Sequence, residues 1–329
     1  MTALRPVMLA VGGDSGTGKT TLTRGIYDIF GSGNIVNICL DDYHTLDRAG
    51  RKREGLTALN PLANNLALIE EQVLALRDGE TIVKPVYDHA TGTFGAPETV
   101  QPRPIVIIRG LFPLFSERLR SAFDVKVWLD PDEELKYHWK VQRDVAQRGY
   151  VLEEVIRQMV ERQDDVRAYI QPQRVHADRV VRFYPPGGYL RDRANGHGKG
   201  QVNIPLNVQV IQRWSLPRLD LSDILEVADE RGQPALRAFT ADYLGEPADI
   251  LEIDGHVSPA KAAELEERIW EHMPSHRHLR PDEIGGYLDG VAPGHSDPLA
   301  LTQLLIAYRI LAARETTVGA GTPALRRAG

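Results

Sequence analysis

Apolar residues along this chain fall in short unbroken runs, separated by longer stretches in which apolar positions recur every three or four residues. Val7–Val11, Ile35–Leu40, Ile105–Ile108 and Phe123–Leu129 are the clearest runs, short enough for strands and apolar enough to be buried on both faces. Arg179–Phe183 reads as a fifth strand. Helices are predicted over Thr21–Phe30, from Asn60-Pro61 to about Leu76, from Asp132 to about Gln147, and from Leu152 to about Tyr169. In the second of these, Leu66, Ile69, Val73 and Leu76 keep helical spacing and Asp78-Gly79 closes the element; Gly149 stops the third. Thr45–Leu59 reads as a polar loop. Strand and helix alternating in this way predict an α/β fold, mostly a parallel sheet with helices on both faces.

Pro185-Pro186-Gly187-Gly188 and the polar run to Gly200 interrupt the pattern. Beyond them Val202–Ile211 and Ile250–Ile253 read as strands, Ser258–His272 as a helix opened by an N-cap serine, and Pro298–Ala313 as a last apolar helix. The predicted organisation is a core over residues 1–184, a loop or seam over 185–200, an α+β extension over 201–314 that completes the domain, and a disordered tail over 315–329.

The turn between the first strand and the first helix reads Gly13-Asp14-Ser15-Gly16-Thr17-Gly18-Lys19-Thr20, followed by Thr21. Glycines here, then Lys and Thr at the head of a helix, form a P-loop: backbone N–H groups turn inward around an anion where a Cβ would clash. The core is thus expected to be P-loop NTPase-like. Lys19 then reaches the β- and γ-phosphates of ATP, and the Thr20 hydroxyl ligates Mg²⁺.

The second strand ends in Asp41-Asp42-Tyr43-His44, on the rim where ligands of parallel sheets gather. A carboxylate there can act as general base, hold Mg²⁺ or cap the next element. Arg48, Arg51, Lys52 and Arg53 crowd the next loop, and a solvated surface and a phosphate site are both open readings. The same pair of readings holds for Arg143 and Arg148 near the end of the third helix, because cations there also suit the helix dipole.

Composition narrows the partners. A formal charge of −6 argues against a general nucleic-acid or anionic-membrane binder and favours small anions gripped by local basic clusters. One cysteine, Cys39, cannot form an internal disulfide, and no apolar run approaches the length of a membrane span, so the cytoplasm is the expected compartment.

Together with the P-loop, Leu40-Asp41-Asp42-Tyr43-His44-Thr45-Leu46-Asp47-Arg48, Thr57-Ala58-Leu59-Asn60-Pro61 and Lys84-Pro85-Val86-Tyr87-Asp88-His89 give the chain a marked family character. It resembles the phosphoribulokinases of plant and cyanobacterial type, within the wider phosphoribulokinase and uridine kinase family. Trp139-Lys140-Val141-Gln142-Arg143-Asp144, Gln147-Arg148-Gly149 and Ala168-Tyr169-Ile170-Gln171-Pro172-Gln173 extend the resemblance over about Val7 to Phe183. It implies ATP-dependent phosphorylation of ribulose 5-phosphate to the 1,5-bisphosphate, a Calvin-cycle step, and a homodimer. It further implies that Asp41 is the general base and also serves the metal with Thr20, and that Asp42 helps with metal or position. His44, Arg48, Arg51, Tyr87 and His89 would bind the sugar phosphate, and Arg143 and Arg148 would be arginines of a closing lid.

Two departures from that family pattern stand out. Arg109-Gly110-Leu111-Phe112 stands where the family has Glu followed by Gly-Leu-His, so the strand-end acid that serves the metal is replaced by a cation. Thr17 stands where light-regulated plant enzymes carry a cysteine, which leaves Cys39 without a disulfide partner. Three functions follow: the kinase above, a kinase of uridine or another sugar phosphate, and a nucleotide-binding regulator weakened by Arg109. The basic loop argues against a neutral acceptor, and Asp41 argues against a pure binder.

Overall fold

All seven residues of Val7–Gly13 (β1) are buried, and the sheet is built outward from them. The structure is a computed structural model that describes residues 5–186, 205–213, 219, 221–225, 232, 234–281 and 284–317. In chain order β1 is followed by Lys19–Phe30 (α1), Ile35–Cys39 (β2), Arg48–Arg53 (α2) and Leu66–Arg77 (α3). Two small ladders come next, Ile82–Lys84 (β3) with Glu98–Val100 (β6) and, inside it, Tyr87–Asp88 (β4) with Thr93–Phe94 (β5). Ile105–Gly110 (β7), Glu117–Arg120 (α4), Val125–Leu129 (β8), Glu133–Ala146 (α5), Leu152–Glu161 (α6), a short turn at Gln163–Asp165 (α7) and Arg179–Tyr184 (β9) complete the first half. Asn207–Gln212 (β10), Leu236–Tyr243 (β11), Glu246–Ile253 (β12), Pro259–Glu271 (α8), the hairpin Gly286–Asp289 (β13) with Ala292–His295 (β14), and Asp297–Thr317 (α9) form the rest.

The principal sheet runs β11-β12-β10-β9-β8-β1-β7-β2. Its pairs from β2 to β9 are parallel, and those from β9 to β11 antiparallel. Strand periodicity divides the apolar side chains between two cores. Val7, Leu9 and Val11 face the layer that holds Leu22, Ile26 and the α9 residues Leu301 and Leu304; Met8 and Ala10 face the layer that holds Ile69, Val73 and Leu76 of α3. The mostly parallel sheet with helices on both faces is therefore present, and β10 to β12 prolong that same sheet.

Several boundaries differ from the sequence pattern, for local reasons. The helix predicted from Asn60 begins only at Leu66. Asn60 caps a single turn over Pro61–Ala63, the chain extends at Asn64, and the Asn65 side chain then accepts from Leu68 N–H to start α3. The loop after His44 contains α2, because Asp47 accepts from Gly50 N–H at 2.5 Å and caps it. The helix predicted from Leu152 to Tyr169 stops at Glu161, passes through α7 and a wide π-type turn over Val166–Ile170, and gives way to the Pro172 turn. The edge strand β11 escaped prediction because most of its residues are exposed and it lacks a buried face to pattern them. Helix α9 runs to Thr317, into the start of the predicted tail. The rest of that tail, residues 318–329, and positions 187–200 of the predicted seam lie outside the described residues.

Beside their shared apolar packing, the last helix is tied to the first by a buried polar contact. Gln303, fully buried, donates to the Thr21 carbonyl at 3.1 Å and accepts from Gly285 N–H at 2.8 Å. Gly25 of α1 lies under that side chain, and a Cβ there would come within 2.1 Å of it. Gly25→Ala should therefore lower unfolding free energy by about 1–3 kcal/mol in urea titration, as overpacking of a closed core does. A fully stable variant would show that Gln303 can move aside.

Candidate active site

The P-loop leaves β1 through backbone that only glycine adopts readily. Gly13 has φ +147°, and a Cβ would lie 2.8 Å from the Leu129 carbonyl; Gly16 has φ +87°, and a Cβ would lie 2.8 Å from Lys140 on α5. Thr17 is buried, its hydroxyl donating to the Asp14 carbonyl at 2.9 Å. Gly18 precedes the first turn of α1, so the loop delivers its amides and the positive end of the helix to one point. Lys19 folds back across the loop, its ammonium donating to the carbonyls of Gly13 at 2.8 Å and Asp14 at 2.6 Å. Burial pushes the Lys19 ammonium down to about 8, against the pull of Asp41 and Asp14. The Asp14 carboxylate is engaged by the protein: it accepts from Ser15 N–H at 2.6 Å and from Arg162 at 2.5 Å, with Lys136 at 3.6 Å.

The structure separates the two aspartates after β2. Asp42 is a structural pin that accepts from Lys84 at 2.7 Å and from Tyr87 N–H at 3.0 Å, tying β4 to the end of β2. Asp41 stands half-exposed in the cleft, with His89 Nε2 at 3.5 Å. Burial raises its pKa, but the His89 hydrogen bond and the charges of His44, His89 and Lys19 outweigh that and hold the carboxyl below its usual range. Asp41 is thus an ionised carboxylate placed between the P-loop lysine and His89.

The remaining basic residues gather beyond Asp41. His44 pairs with Asn64 at 3.0 Å and meets the Tyr87 ring edge-on; its pKa is lowered, first by burial and then by Arg51. Buried Arg51 donates to the Leu46 carbonyl at 2.6 Å and to the Tyr87 hydroxyl at 2.8 Å, so it acts on this end of the cleft through Tyr87. Arg48, exposed, is held by the His89 carbonyl at 2.5 Å and lies over the Tyr150 ring. From the other side, Arg143 of α5 donates to Ser15 Oγ at 3.1 Å, and both Arg143 and Arg148 approach the Asp144 carboxylate, at 2.8 and 3.4 Å. Asp144 also takes Lys140 at 2.5 Å.

Lys84, Asp144, Tyr150 and Arg162 are supporting residues that sequence reasoning gave no role, and Lys140, open there between the helix dipole and a phosphate, pairs with Asp144. The Lys140–Asp144 spacing of four on a predicted helix is a readable signal; Arg162, far from Asp14 along the chain, offers none.

Arg109, the penultimate residue of β7, lies beside Cys39 in register, and its guanidinium donates to Thr20 Oγ1 at 3.2 Å. Its Nε is buried with no partner among the described residues. Burial and the nearby Asp41 push the Cys39 thiol up to about 12, so it is an inert group beneath the site. Thr21 contributes its carbonyl to Gln303. Ser15, Lys19, Asp41, Arg48, Tyr87 and Arg143 line one cavity of about 1560 Å³. No three Asp, Glu, His or Cys side chains are placed to chelate a metal among the described residues. No helix among them is long and apolar enough to cross a membrane.

The Phosphoribulokinase / Uridine kinase family profile matches residues 8–186. Phosphoribulokinase of Synechocystis is 48% identical over 181 residues, 55% of this chain and 54% of that protein. The chloroplastic phosphoribulokinase of Mesembryanthemum crystallinum is 39% identical over 279 residues, 76% of this chain and 68% of that one. A uridine kinase of Listeria monocytogenes is 34% identical over 189 residues, 56% of this chain and 88% of that one. The chain spans about half the length of most of the phosphoribulokinases it matches. Among solved structures, phosphoribulokinase from Rhodobacter spheroides shares the fold, with TM-score 0.57 and 17% identity over 83% of this chain and 98% of that one.

An ammonium that titrates near 8 at an anion cradle makes binding pH-dependent. An anion favours the charged lysine, so ADP should bind with full affinity below pH 8 and take up no proton there. Above pH 8 the affinity should fall and binding should draw in up to one proton, measurable by calorimetry in buffers of different ionisation enthalpy. Lys19→Arg should abolish that uptake; uptake that persists in the variant would assign the titration to another group.

Proposed function

We propose a function from one premise: this chain belongs to the phosphoribulokinase and uridine kinase family. It transfers the γ-phosphoryl group of ATP to the C1 hydroxyl of ribulose 5-phosphate, giving ADP and the 1,5-bisphosphate. The observation that carries this reading is the position of Asp41, an ionised carboxylate between Lys19 and His89 in one cavity. A phosphate-binding loop lies on one side of it and a cluster of cations on the other.

In this mechanism the loop amides and Lys19 hold the β- and γ-phosphates, and the acceptor phosphate lies among Arg48, His89 and the Tyr87 hydroxyl that Arg51 supports. Asp41 takes the proton of the C1 hydroxyl, that oxygen bonds to the γ-phosphorus, and the bond to the ADP oxygen breaks. Arg143 and Arg148 offset charge on the transferring group. Asp42 acts only by holding Tyr87 and Lys84 in place. The cationic end favours a phosphorylated acceptor over uridine, which carries no charge for it to meet.

The donor set suits Mg²⁺ as an ion that arrives with the nucleotide. The Thr20 hydroxyl and the Asp41 carboxylate, both hard oxygen donors, would hold it together with the nucleotide. When bound it neutralises phosphate charge. Arg109 competes for that place, since its guanidinium holds the Thr20 hydroxyl and puts a permanent positive charge beside it. The arginine itself then provides part of the neutralisation at the phosphates.

ADP release measured with ribulose 5-phosphate, with uridine and without acceptor tests the function directly. Wild type should respond to ribulose 5-phosphate alone, and Asp41→Asn should lose about 10²–10⁴-fold in kcat while still binding ATP. Equal rates in all three arms, or an Asp41→Asn defect confined to KM, would contradict the assignment. Arg109→Glu should lower the free Mg²⁺ needed for half-saturation, both in turnover and in direct titration of the ADP complex. An unchanged Mg²⁺ requirement would remove Arg109 from the phosphate end of the site.

A further inference from the structure

The half of α5 that carries Arg143 is not seated by an apolar core. Leu135, Lys140 and Asp144 are its buried residues, Val145 and Ala146 are exposed, and Gly149 follows in left-handed backbone. What fixes this half is polar. Arg143 reaches Ser15, and two glutamines reach across to the C-terminal hairpin. Gln142 Nε2 donates to the Asp289 carboxylate, and Gln147 Nε2 donates to the Gly290 carbonyl at 2.6 Å. Gly290 takes φ +63° at the hairpin tip, and its bare Cα faces Ala146, which a Cβ would approach to 3.6 Å.

The hairpin is tied at its other end to the P-loop helix. Gly285, immediately before β13, donates its N–H to Gln303 at 2.8 Å, and Gln303 donates to the carbonyl of Thr21, the residue after the P-loop. At the tip Leu288 and Val291 are 46% and 75% exposed, so apolar burial does not hold it there. The hydrogen bonds to α5 are its seat. A continuous set of contacts therefore joins the first turn of α1 to the last turns of α5 through a segment far beyond the family-matched region, residues 8–186.

We propose that the β13–β14 hairpin is a brace that sets the position of α5 over the P-loop, with Gln142, Gln147 and Asp289 as positioning residues for Arg143 and Arg148. The inference rests on the kinase reading above and deepens it. Phosphoryl transfer depends on cations placed to within about an ångström, and a misplacement from a distant change can cost up to about 10²-fold in rate. The brace spans the two elements whose separation fixes that placement, the P-loop helix and the arginine helix.

The test is a double-mutant cycle on the full chain, read as kcat, acceptor KM and Tm. Gln142→Ala and Asp289→Ala should each lower kcat about tenfold, with KM and Tm close to wild type. The double variant should be no slower than the slower single one, because both remove the same contact. Asp289→Asn, which keeps an oxygen acceptor for Gln142, should retain wild-type kcat. Wild-type kcat in either alanine variant, fully additive losses, or an Asp289→Asn as slow as Asp289→Ala would overturn the brace. If wild type shows no acceptor-dependent ADP release, the kinase reading fails by itself, and hydrogen exchange then decides the brace. Amides of residues 141–146 should exchange faster in Asp289→Ala than in wild type, and unchanged exchange would overturn it.

Discussion

The cleft depends on the end of β1, where a strand buried along its whole length must turn at once into a helix. Strands on both sides and cores on both faces leave it no freedom to shift. The turn therefore falls on glycines whose backbone other residues would strain to adopt. The strand ends that reach the site are placed by register outward from that strand. Arg109 is at the rim because β7 pairs with β1 in parallel, and Asp41 follows because β2 pairs with β7.

Charge is organised by the same economy of shared partners. Asp14 binds Arg162 and Lys136, and Asp144 binds Lys140, Arg143 and Arg148, so each carboxylate gathers cations from more than one position along the chain. Such pairs contribute little to stability where they are exposed, but the Asp14 pairs hold α5 and the end of α6 against the P-loop, while the Asp144 pairs order the cations at the end of α5 itself. Among the described residues Asp41 has only His89 within ion-pairing distance, which leaves its carboxylate open toward the cavity. Arg109 puts the opposite sign on the same rim, beside the Thr20 hydroxyl.

Local chemistry made much of this legible in the sequence. The P-loop, the buried strands and the basic loop are carried by neighbouring residues, and short-range pattern reveals them. What stayed hidden was set by distant partners. Nothing near Asp41 and Asp42 says which of them is free, because the answer lies in Lys84 and in Tyr87, a residue 45 positions away. The Asp14–Arg162 pair spans 148 positions, and the contact of the C-terminal hairpin with α5 is as remote. Strand β11 was unreadable for a different reason: an exposed edge has no buried face to impose alternation. Asparagines 60, 64 and 65 broke the predicted helix because each found a backbone group to bond.

The central claim is that Asp41 meets the acceptor hydroxyl between two phosphate-binding ends of one cavity. A crystal structure of the complex with ADP, Mg²⁺ and ribulose 5-phosphate tests it most directly. The account predicts ADP phosphates on the P-loop amides and Lys19, the sugar phosphate beside Arg48 and His89, and the C1 hydroxyl within hydrogen-bonding distance of the Asp41 carboxylate. A sugar phosphate bound outside that cavity, or one whose C1 hydroxyl points away from Asp41, would contradict it.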